Sequence, residues 1–347
     1  MNIMLIFLAL LVSFQSNICV AGKILESERT YVSNQLSITE KTRIETSEDY
    51  QKTVHDQLNE KIGPVYPPHS LVFHEKSIKN KFLFHASYTI GDFGLRTLQS
   101  QRGSRHLIIS GDSNVFGEGC KDSETLFAFL KPAVKDVHLY NFGHRGGGPH
   151  NTLSLMEHTS ALATVSEAQG LFLYHFFPAH MIERVIGGKN YSGWDQGMSP
   201  WYSLDDKDEL IYHGPFKNRS LTKIYQWMAG SDLLNWLFPS LPRIGQAHLH
   251  LVAKIFEKMK ATYLQRFPAG RFAVLLNPGF SDDQTNKEFS EKLKMELTKL
   301  KIEVHILKGA TKNVAELTFP DGHFNPEGQR EEAGLVKTKL LEIFFLK

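Results

Sequence analysis

The sequence predicts an α/β protein built as a three-layer, doubly wound parallel sheet, and two observations carry that expectation. From Arg105 onward, short apolar runs alternate with amphipathic helical segments, the texture of strands covered by helices. Polar and glycine-rich motifs directly follow several of the strand-like runs, and an open parallel sheet collects its ligands at the carboxyl ends of its strands.

RHLIIS (105–110), VHLYNF (137–142), GLFLYHFF (170–177), RFAVLLN (271–277) and IEVHIL (302–307) read as buried strands. Each is rich in β-branched or large apolar residues and bounded by turn formers. Helices are predicted over 123–130, 152–167, 243–267, 283–300 and 326–345, the last opening with Pro326 just inside its start. Residues 187–236 break the alternation and read as an insertion into the 105–347 domain. Their clustered aromatics include Trp194 and Trp201, which would either stack on sugar rings or pack a long loop onto the domain.

Ahead of the domain, residues 22–104 read as an N-terminal arm. ESERTYVSNQLSITEKTRIETSEDYQKTVHDQLNEK is polar and weakly periodic, a helical or loose stretch, and FLFHASYTIGDFGLR reads as strand-like pieces. Residues 1–21 place an apolar run, Ile3 to Val12, before the small-residue site Cys19-Val20-Ala21, the pattern of a secretory signal. The run is shorter than the ~20 residues a spanning helix needs, so a secreted or periplasmic chain without a membrane span follows from cleavage; the alternative is an uncleaved anchor. Cleavage leaves Cys120 without a disulfide partner.

The chain has 347 residues, 41% of them hydrophobic, enough for a large packed core. A net charge of +2 without a long Lys/Arg block argues against a nucleic-acid partner. The Gly143 to Gly148 stretch lacks a following Gly-Lys-Ser/Thr and the spacing of a dinucleotide fingerprint, which excludes a phosphate cradle. His248 and His250 lie two apart in a predicted helix and do not share a face, and His144 with His150 is a weak pair, so no metal is expected.

Four motifs remain: IISGDSNVFGEG (108–119), NFGHRGGGPHN (141–151), PAHMIER (178–184) and DGHFNPEG (321–328). Serine is a weak nucleophile until a base takes its proton. His323 has the pKa class for that base, and Asp321 could fix its tautomer and support the imidazolium. Backbone N–H groups at Ser113 and Gly143 could hold the oxyanion of a tetrahedral intermediate.

GDSNVFGEG, NFGHRGGG and DGHFNPEG, in that order along an α/β chain, resemble the SGNH/GDSL hydrolase family over about 105–347. The resemblance implies a flavodoxin-like fold and a serine esterase acting without metal or organic cofactor. It assigns the nucleophile to Ser113, the base to His323, its orienting acid to Asp321 and a second oxyanion donor to Gly143. Export, a near-neutral net charge and the aromatic insertion point to a small-molecule or carbohydrate acyl ester as substrate, a carbohydrate O-acyl ester or a lipid-like ester. The chain departs from the family where a Gly-x-Asn-Asp supplies a third oxyanion donor: Pro178-Ala179-His180-Met181 stands there instead. His180 then takes the place of the Asn, since an imidazole N–H can donate to an oxyanion, and Asn151 is the next candidate. The same residues would serve an O-acyltransferase, and an altered oxyanion hole would suit a non-catalytic glycan-binding relative.

Overall fold

The computed structural model describes residues 24–33, 36–46, 51–98, 102–192, 195–238, 240–279, 284–307 and 313–342. The predicted signal segment and Trp194 lie outside them.

The first elements are β1 (Ile24–Ser33), β2 (Leu36–Thr46), α1 (Lys52–Ile62), β3 (Ser70–Ile78) and β4 (Lys81–Ile90). The four strands form an antiparallel sheet in chain order. The expected helical stretch is present only as α1, and the expected strand-like FLFHASYTI is β4. The rest of the polar stretch corrects the expectation by forming two long paired strands, and β2 sets Ile38 against Ile78 and Ile44 against Val72 of β3. Along β3 the period of two is complete: Ser70, Val72, His74, Lys76 and Ile78 turn inward, and the residues between them are half-buried. Val72, Phe84, Ala86, Tyr88 and Ile90 form a small core with Tyr66 and Phe116, so the sheet is seated on the segment that follows Ser113.

The chain continues through β5 (Arg105–Gly111), α2 (Ser113–Phe116), α3 (Leu126–Leu130), β6 (Val137–Gly143), α4 (Pro149–His158), β7 (Gln169–Phe176), α5 (Pro178–Val185) and α6 (Lys189–Ser192). The hairpin β8 (Pro200–Leu204) and β9 (Leu210–Pro215) follows, then α7 (Ser220–Ala229), α8 (Asp232–Leu237) and α9 (Gln246–Arg266). Last come β10 (Arg271–Leu276), α10 (Gln284–Lys299), β11 (Glu303–Ile306), α11 (Val314–Leu317) and α12 (Pro326–Leu340). The predicted helix over 152–167 instead starts at Pro149, where Asn151 Oδ1 accepts the Gly148 N–H at 2.9 Å, and ends at His158.

Five strands pair in parallel in the order β11-β10-β7-β5-β6. Counted along the chain this is the doubly wound order 2-1-3-4-5, whose switch point lies between β5 and β7. Alternate residues feed two cores. Ile108, Phe172 and Val274 pack beneath α4, α9 and α10, whereas Leu107, Ile109, Leu171 and Leu275 pack against Leu126, Phe127, Val336 and Leu340 of α3 and α12. Burial on both faces explains why these strands read as continuous apolar runs.

The insertion contributes α6, the hairpin, α7 and α8. Trp201 is half-buried, its ring stacked on His213 with centroids 4.1 Å apart, which makes it part of the hairpin's packing. Trp227 and Trp236, on α7 and α8, are 70% and 77% exposed. Among the described residues, no helix is long and apolar enough to cross a membrane.

Candidate active site

Ser113 sits at the end of β5, beside the sheet's switch point. Asp112 caps α2 by accepting the Asn114 N–H on Oδ1 at 3.0 Å, and Gly117 closes that short helix at φ 84°, in the left-handed region that favours glycine. The end of β6 comes so close to α2 that a Cβ on Gly143 would lie 2.3 Å from the Phe116 nitrogen. A second loop is tied onto this one: Asn114 Oδ1 accepts the Phe324 N–H at 3.0 Å, and Gln329 donates to the Asn114 carbonyl at 2.8 Å.

That tie brings residues 210 positions apart into contact. Ser113 Oγ lies 3.0 Å from His323 Nε2, and His323 Nδ1 lies 2.9 Å from Asp321 Oδ2. With Nδ1–H donating to the carboxylate, Nε2 is left to accept the serine proton. Burial disfavours charge on both partners. The His323 ring and Lys76 nevertheless hold the Asp321 carboxyl well below the usual carboxylate range, and Glu118 and Asp321 raise His323 above its ordinary value while Lys76 pulls the other way.

The two further oxyanion donors expected from the sequence are committed elsewhere. The Gly143 N–H donates to Asn141 Oδ1 at 2.8 Å, in the local turn that Asn side chains favour. His180 Nε2 lies 2.9 Å from Asp112 Oδ2, with Arg184 Nη1 3.3 Å from the same oxygen. An imidazole that donates there keeps only an acceptor, Nδ1, for any other partner while it is neutral. Burial, then the Arg184 charge, lower the His180 pKa, which favours that neutral form. Asp112, fully buried, resists ionisation by desolvation but is held well below the carboxylate range by His180 and Arg184. Asn151 is also engaged: its amide donates to Ile62 O at 2.9 Å and approaches Ser199 Oγ at 3.3 Å. The Ser113 N–H occupies the first turn of α2, where no intrahelical acceptor exists.

Sequence reasoning missed the ion cluster beside Asp321. Lys76 Nζ, on a side chain only 3% exposed, lies 2.9 Å from Asp321 Oδ2, 3.0 Å from Glu40 Oε1 and 3.5 Å from Glu118 Oε1. Arg145 holds Glu118 in a two-pronged pair at 3.0 and 3.1 Å, and Glu118 Oε2 reaches to 3.6 Å from His323 Nε2. Glu118 and Arg145 were within the quoted motifs, but nothing local marked them as partners. Glu40, His74 and Glu118 have metal-ligand chemistry and lie together, yet the Lys76 ammonium already bridges the two carboxylates. A metal there would have to displace it.

A cavity of about 320 Å³ opens beside Gly143 and Arg145, walled also by Tyr66, Leu95, Phe116 and Met198; neither Ser113 nor His323 lines it. Among the described residues, the other histidines weighed for metal join no cluster of three candidate ligand groups. His144 and His150 are buried, with His144 pushed down to about 4 by desolvation and then the Arg184 charge, while His248 caps the start of α9 and His250 pairs with Asp208 at 2.7 Å. Cys120 is buried, and desolvation pushes its thiol up to about 12, away from the thiolate form.

No family model matches the chain, and no curated protein does. Among solved structures it is similar to a lipolytic protein of the G-D-S-L family from Veillonella parvula, 15% identical, covering 70% of this chain and 100% of that one at a TM-score of 0.39. It is similar to a carbohydrate esterase with catalytic and non-catalytic binding functions, 12% identical over 93% of this chain and 96% of that one at 0.40. A lipase/acylhydrolase from Enterococcus faecalis is 13% identical over 68% and 95% at 0.37. Such proteins include members of the family that the three motifs resemble; at these TM-scores, the chemistry rests on the residues of this chain alone.

Proposed function

We propose that the chain is a serine hydrolase that cleaves an acyl ester through a Ser113 acyl-enzyme. The observation that carries this reading is the continuous contact from Ser113 Oγ through His323 to Asp321 at the carboxyl edge of β5. Ser113 Oγ attacks the ester carbonyl carbon as its proton passes to His323 Nε2. The carbonyl π electrons move onto oxygen, next to the Ser113 N–H. Collapse of this intermediate expels the alkoxide, which takes the proton from His323. Water, deprotonated by the same ring, then attacks the acyl carbon; the bond to Ser113 Oγ breaks, Oγ takes the proton back from His323, and a carboxylic acid leaves. A sugar hydroxyl in place of water would make the same residues an O-acyltransferase.

A carbohydrate or other small acyl ester is the substrate class we favour, with the cavity beside Arg145 receiving part of it. In the same reading residues 1–21 direct export, and the mature chain starts at Gly22; Edman sequencing of exported protein that begins at Met1 would refute that part. The catalytic part is tested with p-nitrophenyl acetate. Turnover by the wild type that disappears in Ser113→Ala supports it, and equal turnover by both proteins overturns it.

A further inference from the structure

We propose that Lys76 and Glu118 are positioning residues for the His323–Asp321 pair, so that the N-terminal sheet completes the active site. This rests on the acyl-transfer reading of Ser113 and His323.

An ammonium group is costly to bury unless it is paired and hydrogen-bonded, and Lys76 is paired with three carboxylates, one of them Asp321. Its placement has a local cause. Lys76 occupies an inward position in the unbroken alternation of β3; it pairs with Phe84 while Ser77 pairs with Phe82, so the irregularity at this point lies on β4, at Leu83. Glu118 arrives from the other side, its N–H donating to the Ser113 carbonyl at 2.9 Å, so the loop that presents the nucleophile also presents this carboxylate.

The arrangement has a charge logic. Three carboxylates, Glu40, Glu118 and Asp321, face two fixed cations, Lys76 and Arg145, and the excess negative charge lies beside His323. Protonation of His323 during attack by Ser113 balances the group. Lys76 also limits this effect. Without its ammonium, Asp321 and Glu118 would hold the proton on His323 in the resting state and take the base out of use. His180 also acts on the ring, from the Asp112 side, and His74, beside Glu40, Glu118 and Lys76, is kept near pKa 4 by burial.

Lys76→Met and Glu118→Gln should therefore move the His323 titration in opposite directions, upward and downward, each by about one unit. Lys76→Arg should restore most of the first shift. The readout is the Cε1 resonance of ¹³C-histidine-labelled protein, assigned by its absence in His323→Asn. Glu40→Gln, which touches Lys76 from the rim, should lower the titration by less than Glu118→Gln and serves if the Met variant fails to fold. The proposal is overturned if the titration stays within about 0.2 unit in all variants, or if the Met and Gln shifts have the same sign. Because the resonance is visible in an inactive protein, lost coupling is distinguishable from failure of the esterase reading, which ester turnover by the wild type reports.

Discussion

The two sheets of this protein contrast in what their strands bury. In the parallel sheet, both faces are covered and the inward positions of β5, β7 and β10 are mostly apolar, apart from His106, Ser110 and His175, while the proposed chemistry lies in the loops beyond the strands. In the N-terminal sheet only one face is covered, and β3 alternates Val72 and Ile78 with His74 and Lys76 on that face. The first sheet is a rigid mount for Ser113, and the second brings a buried cation to Asp321. The difference teaches that a contact built at the edge of one sheet can receive a buried charge from the other, through a strand that an apolar-pattern reading passes over.

The largest effect should separate the roles of the two sheets. Ser113→Ala removes the nucleophile and should lower kcat by at least about 10³-fold with thermal stability retained, since only one hydroxyl is lost. Steady-state kinetics and a melting curve check both halves.

Asp321→Asn comes next. It should lower kcat by up to about 10⁴-fold yet less than His323→Ala, because the base survives without its orienting acid. Equal losses in the two variants would make Asp321 part of the scaffold shared by both sheets, not a partner of the base. The pH profile sharpens the same point. His323 is raised by Glu118 and Asp321 despite burial, so its base form appears only as pH rises through that elevated value. The acid limb of kcat/KM should lie above the ordinary histidine value of about 6.5. A limb below it would mean that Lys76 and burial outweigh the two carboxylates.

A smaller effect is expected at His180. An oxyanion donor lost to alanine costs about 10²- to 10³-fold in kcat. With Nε2 engaged by Asp112, His180→Ala should cost no more than about tenfold, the scale of one hydrogen bond. A loss of the larger size, partly restored by His180→Asn, would return the ring to the oxyanion. Least of all for catalysis, Tyr88→Phe removes the hydroxyl that accepts the Gly119 N–H at 3.0 Å across the junction of the two sheets. Leaving that donor buried should cost about 1–3 kcal/mol of unfolding free energy, read from a denaturant titration, with little change in kcat.

Much of the fold was legible because burial on both faces writes strands as unbroken apolar runs, and all five parallel strands lie where RHLIIS, VHLYNF, GLFLYHFF, RFAVLLN and IEVHIL stand. In the N-terminal sheet β4 was legible in FLFHASYTI, but β1 to β3 were not. Their alternation is carried by pairs such as Ile38 with Ile78, while Glu40, His74 and Lys76 occupy inward or nearly buried places where the pattern calls for apolar residues. Ser113, Asp321 and His323 stood out because their chemistry is local to short motifs. The engagement of Gly143 by Asn141, and of His180 by Asp112, depends on side-chain directions that spacing along a chain does not encode.

The central claim is that Ser113 is activated by His323. Incubation of the intact protein with a fluorophosphonate probe, followed by peptide mass spectrometry, tests it most directly. The account predicts a single phosphonylated residue, Ser113, with labelling that rises through the His323 titration and is suppressed in His323→Ala. Labelling absent from Ser113 at every pH, or undiminished in His323→Ala, would contradict it.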